Sequence, residues 1–211
     1  MASPTRWPIR VPSLAAGTPS WLVPAAVASV AGAVLVRRSR AVTVPAVAAA
    51  GALLWFFRDP ERDGAAEGVL SGADGVVQSV DRRPDGRTRV AVFMNPLNVH
   101  VNRAPLAGVV TSLIHRPGGY LPAFNKDSER NERMVWHFDT ELGDVEVVQI
   151  AGALVRRIVP YLAPGEKVER GQRIGLIRFG SRLDVYLPPG VEPAVQVGDK
   201  TLAGVTRLDR R

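Results

Sequence analysis

Two uncharged runs rich in alanine and valine, residues 21–36 and 41–57, open the chain, and Arg37, Arg38, Ser39 and Arg40 lie between them. Each is shorter than the roughly 20 residues a spanning helix needs, and each carries a proline, Pro24 or Pro45. The pattern predicts an N-terminal hydrophobic helical hairpin lying in one leaflet. Trp55, Phe56 and Phe57 then sit near the headgroups and Arg58 in water. Two full spans would place the basic turn in the cytoplasm and the rest of the chain outside, whereas the interfacial hairpin keeps the remainder on the cytoplasmic face of the cell membrane. The competing reading is a buried helix pair within a soluble fold. A signal peptide does not fit, because Ala48, Ala49 and Ala50 lie inside the second run and not beyond it.

From Gly68 onward the pattern changes to short β-rich runs separated by Gly, Pro, Asn and Asp: residues 69–70, 76–80, 87–94, 99–101, 108–115, 133–138, 145–150, 153–159, 173–179 and 182–187. Strands recurring about every 8–12 residues predict a mainly β protein, an antiparallel β-sandwich or barrel-sandwich-like domain. The expected division is a membrane-associated segment, residues 1–60, and a second domain, residues 61–211. Residues 163–175 resemble the hairpin of lipoyl-type barrel-sandwich folds, with Val168 and Ile174 facing inward. Residues 117–132 form the longest stretch without strand alternation, a lid or a plain connection. Gly180 and Ser181, between two apolar runs, read locally as a hairpin turn.

Composition narrows the chemistry. Cysteine is absent, which excludes disulfides, thiolate nucleophiles and iron–sulfur clusters. The net charge of +7 points to an anionic partner. The arginines are scattered, without a basic recognition helix or an aromatic RNA-binding motif, so a lipid surface is expected and nucleic acid is not.

Three histidines carry whatever acid–base chemistry occurs near neutral pH. In Asn98-Val99-His100-Val101-Asn102 the strand period puts His100 on a polar face with both asparagines, and Val99 and Val101 on the core side. A site role, a solvated histidine and a merely structural one all satisfy that pattern. His115 and His137 read as structural. No ligand spacing supports a metal, Lys167 lacks the flanks of a carrier lysine, and Asp74-Gly75 by itself is a turn signal. Gly180-Ser181 also has a chemical reading: attack of the Ser181 hydroxyl on the Gly180 carbonyl converts the amide to an ester, and elimination leaves an electrophile at a new amino terminus.

Taken together, Phe57-Arg58-Asp59-Pro60, the run Ser71 to Gly75, the run Asn95 to Pro105, Asn131-Glu132-Arg133 and Phe179-Gly180-Ser181 resemble phosphatidylserine decarboxylase in its short, membrane-associated bacterial form. The resemblance covers about residues 55 to 190 in consistent order. It implies a proenzyme that cuts itself between Gly180 and Ser181 into a β chain, residues 1–180, and an α chain, residues 181–211, which stay associated. Ser181 then becomes a covalent pyruvoyl group that forms a Schiff base with phosphatidylserine in an anionic membrane, and loss of CO2 yields phosphatidylethanolamine. The family's self-cleaving triad falls on Asp74, His100 and Ser181. Longer relatives carry two histidines three residues apart, one tied to cleavage and one to decarboxylation, where this chain has His100 and Arg103. They also read Leu-Gly-Ser-Thr where this chain reads Phe-Gly-Ser-Arg. His100 is thus implied in cleavage, decarboxylation or both, and Arg103 in binding substrate phosphate or carboxylate, or in a structural ion pair. The alternative is a membrane-tethered barrel-sandwich binding module without activity, with Gly180-Ser181 an ordinary turn.

Overall fold

The computed structural model describes residues 13–35, 40–64, 67–119, 121, 130–152, 157–178 and 181–210. The chain enters through β1 (Ser13–Leu14), runs up α1 (Leu22–Leu35) and back down α2 (Arg40–Phe56), and closes the excursion with β2 (Arg58–Asp59) antiparallel to β1. Pro24 falls in the first turn of α1, where its missing N–H leaves no intrahelical bond unmade. Leu22, Phe56 and Phe57 are buried, whereas Trp21, Val27, Val44 and Trp55 are more than half exposed. No helix among the described residues is long and apolar enough to cross a membrane.

The rest is β. Strands β3 (Gly75–Arg82), β4 (Thr88–Met94), β6 (Gly108–Arg116), β7 (Arg133–Thr140), β8 (Gly143–Ile150), β10 (Lys167–Val168), β12 (Ser181–Leu187) and β13 (Lys200–Thr201) form one antiparallel sheet in the order β10-β6-β7-β8-β12-β4-β3-β13. It curls into a half-barrel, as the barrel-like expectation for this mainly β chain requires. A second sheet, in the order β5-β11-β9, joins β5 (Val101–Arg103), β11 (Arg173–Ile177) and β9 (Ile158–Pro160).

Alternation along each strand decides what faces what. In β12, Leu183, Val185 and Leu187 enter the main core with Val90, Val92, Trp136 and Val147, and each such large side chain contributes about 2 kcal/mol by leaving water. From β11, Ile174 and Ile177 close that core, and Val168 joins them, as their positions predict. The register of β11 on β5 shifts between Arg173 and Gly175, which breaks strict alternation there, and Leu176 packs instead with Val99, Val101, Leu22, Phe56 and Phe57. The small sheet therefore lies between the half-barrel and the base of the helical hairpin.

Some local expectations are corrected. The strands flanking Gly180-Ser181 do not pair: β11 bonds to β5 and β9, and β12 to β4 and β8, so the two form no hairpin. The apolar runs on either side look alike, but they serve different sheets. Asp74-Gly75 is likewise no hairpin turn, because Gly75 is the first residue of β3. A Cβ there would lie 2.1 Å from the Phe93 carbonyl oxygen, so the close approach of two backbones requires glycine. Residues 69–70 contribute only an isolated bridge from Leu70 to Arg207. Residues 120 and 122–129 of the long loop, and 153–156, lie outside the described residues.

Candidate active site

Three adjacent strands bring the first site residues to one end of the half-barrel. Ser181 opens β12 opposite Met94, the last residue of β4, and on the far side of β4 the register matches Val76 to Phe93 at the start of β3. Ser181 is fully buried. Its hydroxyl donates to Met94 Sδ at 3.8 Å, a thioether being a weak acceptor that leaves the proton loosely held. Gly180 lies outside the described residues.

His100 is completely buried, so the solvated alternative is excluded and the polar face of this segment turns inward. Its ring lies 4.3 Å from that of Phe56 at the end of α2. Nδ1 is 3.0 Å from the Asn98 carbonyl oxygen, which only accepts, so Nδ1 carries the proton and Nε2 keeps a lone pair. Nε2 is buried without a hydrogen-bond partner among the described residues. Burial pushes the imidazole down to about 4; the Asn98 carbonyl opposes this, Arg58 adds to it, and the Asp74 charge opposes it more weakly.

A pH dependence of stability follows. Between about 6.5 and 4 the unfolded chain takes up a proton at His100 that the native state refuses, so acidification favours unfolding. We expect the wild-type chain to lose roughly 3 kcal/mol across that window relative to a His100→Gln variant, read from urea unfolding at successive pH values.

Asp74 is also buried, and it is paired. Arg62 grips it with both terminal nitrogens, Nη2 at 2.7 Å from Oδ2, and the Ala203 N–H donates to Oδ1 at 2.8 Å. The structure thus brings Asp74 within electrostatic reach of His100, while the hydrogen bond of His100 Nδ1 goes to Asn98 and not to the carboxylate. Arg103 is bound up as well. It donates from Nη1 to Gly171 O and from Nη2 to Pro60 O, both at 3.0 Å, and its Nη2 lies 3.7 Å from Asp59, which Arg173 holds at 2.6 Å. That arrangement clasps Phe57-Arg58-Asp59-Pro60 to the turn before β11 and matches the structural alternative for Arg103.

Sequence reading misses four contributors. Met94 carries no polar signal. Arg62 lies just past the motif whose Arg58 and Asp59 drew notice. Gln149 and Trp136 extend the site inward: Trp136 Nε1 donates to Gln149 Oε1, and Gln149 Nε2 to Asn102 Oδ1, both at 2.8 Å. A signal existed in β8, where Gln149 occupies the core-facing phase set by Val145 and Val147.

Comparison with known proteins identifies the family. The family model described as phosphatidylserine decarboxylase matches residues 50–208. A phosphatidylserine decarboxylase proenzyme of Thermobifida fusca is 66% identical over 203 residues, covering 95% of this chain and 94% of the relative. The one from Streptomyces coelicolor is 64% identical over 200 residues, covering 93% and 92%. A putative archaetidylserine decarboxylase proenzyme of Methanococcoides burtonii is 50% identical over 161 residues, 75% of each chain. The chain belongs to the phosphatidylserine decarboxylase family.

Proposed function

We propose that this chain is a proenzyme that cuts itself between Gly180 and Ser181 and then decarboxylates phosphatidylserine to phosphatidylethanolamine at the cell membrane, using a pyruvoyl group made from Ser181. The observations that carry this reading are a buried serine hydroxyl held only weakly by a thioether and a buried neutral histidine whose Nε2 has no hydrogen-bond partner among the described residues. His100 and Asn102 share one face of the extended segment that leads into β5, and the Asn102 amide reaches the same Met94 that seats Ser181. That group fits a residue that is enclosed, uncharged and without a strong partner, which describes Ser181.

In self-cleavage the Ser181 oxygen attacks the Gly180 carbonyl and its proton passes to a base, for which His100 Nε2 is the candidate. The bond to the Ser181 nitrogen breaks, leaving an ester. Removal of the Ser181 Cα proton expels the Gly180 carboxylate, and water then displaces ammonia from the new terminus. When present, the pyruvoyl ketone supplies Schiff-base chemistry toward the substrate amine and a sink for the electron pair left by CO2. His100, once protonated, is a strong donor for returning a proton. Asp74 lends negative charge that favours the protonated ring. Arg103 acts in this scheme by holding the frame. Residues 61–211 form the decarboxylase domain and residues 1–60 the membrane-associated segment, whose last turn places Phe56 on His100.

Exposed Trp21, Val27, Val44 and Trp55 give the hairpin an apolar outer surface suited to lipid. Beside them Leu97 is 72% exposed, and Arg58, lying over the Trp55 ring, donates to Leu97 O at 2.7 Å. A Val27→Asp, Val44→Asp double variant is expected to bind phosphatidylserine vesicles at least about tenfold more weakly in flotation assays, with the fold intact. Undiminished flotation would remove the hairpin as the docking surface.

Intact mass separates this reading from a catalytically silent binding module. Two fragments should meet at residues 180 and 181, the smaller lighter by one ammonia than the plain serine-terminated peptide. A single uncut chain that still decarboxylates lipid would sink the mechanism.

A further inference from the structure

Trp136, Gln149 and Asn102 are all fully buried, and their polar groups form a chain with a fixed direction. The indole N–H can only donate, so the Gln149 atom it meets is the amide oxygen. The Gln149 nitrogen is therefore what faces Asn102, and the Asn102 atom it meets is again the oxygen. That turns the Asn102 nitrogen the other way, onto Gly72 O at 3.3 Å and Met94 Sδ at 3.5 Å. One indole thus settles the orientation of two amides. On the same sulfur, at 3.8 Å, sits the Ser181 hydroxyl.

We propose that Trp136, Gln149 and Asn102 are positioning residues for Ser181: their directed hydrogen bonds aim the Asn102 amide at Met94, fix the thioether, and through it hold the nucleophile in one rotamer. This rests on Ser181 being the self-cleaving nucleophile and specifies how that residue is held. Methionine is unbranched, with three rotatable bonds, and needs an outside group to select a conformer. Two primary amides in a β core cost several kcal/mol unless bonded, and apolar side chains would pack there without that requirement. The line of bonds ends at the seat of Ser181. A thioether at that end holds the hydroxyl in place yet competes little for its proton.

The test is the half-life of newly made full-length chain, followed on denaturing gels after pulsed cell-free synthesis. Trp136→Phe deletes the N–H and keeps a ring beside Phe138, and Met94→Leu deletes the sulfur at nearly constant volume. Each should lengthen the half-life about tenfold. The Trp136→Phe, Gln149→Leu double variant should be no slower than Gln149→Leu alone, since a single line of bonds is broken only once. Gln149→Glu supplies a signature that lost packing does not: a protonated acid can donate to Asn102 Oδ1 as the amide does, and a carboxylate cannot. Its processing should recover as pH falls, in a range where wild-type His100, held at about 4, is still neutral. Folded variants that process at the wild-type rate would overturn the proposal, as would a slowing of Gln149→Glu that is equal at every pH. If Gln149→Glu does not fold, Trp136→Phe and Met94→Leu decide. A wild-type chain that never cuts sinks the parent reading, whereas a cutting wild type with unaffected variants sinks the relay alone.

Discussion

Ser181→Ala is expected to yield one uncut polypeptide with no detectable decarboxylation, a loss of about a millionfold or more, because the proposed electron sink is made from Ser181. The fold should survive. The hydroxyl makes its hydrogen bond to a thioether, so removing it costs less than about 1 kcal/mol, and the methyl left behind occupies space already filled by Cβ. An unchanged melting temperature beside abolished cleavage therefore assigns the loss to chemistry. Fragments at the same position in this variant would show that Ser181 is not the nucleophile.

His100→Ala carries the second large effect. Removing a positioned proton acceptor typically slows a step by about 10²–10⁴-fold, and both self-cleavage and decarboxylation are exposed to that loss. The two separate experimentally: the half-life of the full-length chain reports cleavage, and kcat of the purified cut fraction reports decarboxylation. Slowing of the first alone makes His100 the base for cleavage. Slowing of the second alone makes it the proton donor to product. The variant also opens a void against Phe56, so His100→Gln serves as the control that fills it. Normal processing with full activity in both variants would remove His100 from the site.

What the sequence disclosed depended on how local each feature is. The hairpin of α1 and α2 and most strands of the half-barrel follow from apolar runs and period-two alternation within a few residues. The inward aim of Val168 and Ile174 followed from the resemblance of residues 163–175 to a lipoyl-type hairpin. The partnership of strands was not. Runs 173–179 and 182–187 adjoin in sequence and look like a hairpin, yet β5 and β9 claim the first while β4 and β8 claim the second. Site residues divide likewise. His100 stood out by rarity and Ser181 by its flanking glycine. Met94 and Trp136, buried and apolar in type, gain their meaning only from partners as distant in sequence as Ser181 and Gln149. Arg62 became visible only when its guanidinium was found around Asp74.

A chain end is ordinarily the most mobile part of a protein, because nothing precedes it to restrain its backbone. The end that a cut before Ser181 would create is different, since β12 is an interior strand, bonded to β4 on one side and β8 on the other from its first residues. Residues downstream are fastened too: Ser71 N–H donates to Thr206 O, and Leu208 N–H to Val69 O, both at 2.7 Å. Severing the chain there would leave the described residues downstream fastened in place. It would expose a reactive terminus with the rigidity of a sheet interior, aimed by its neighbours before any substrate arrives.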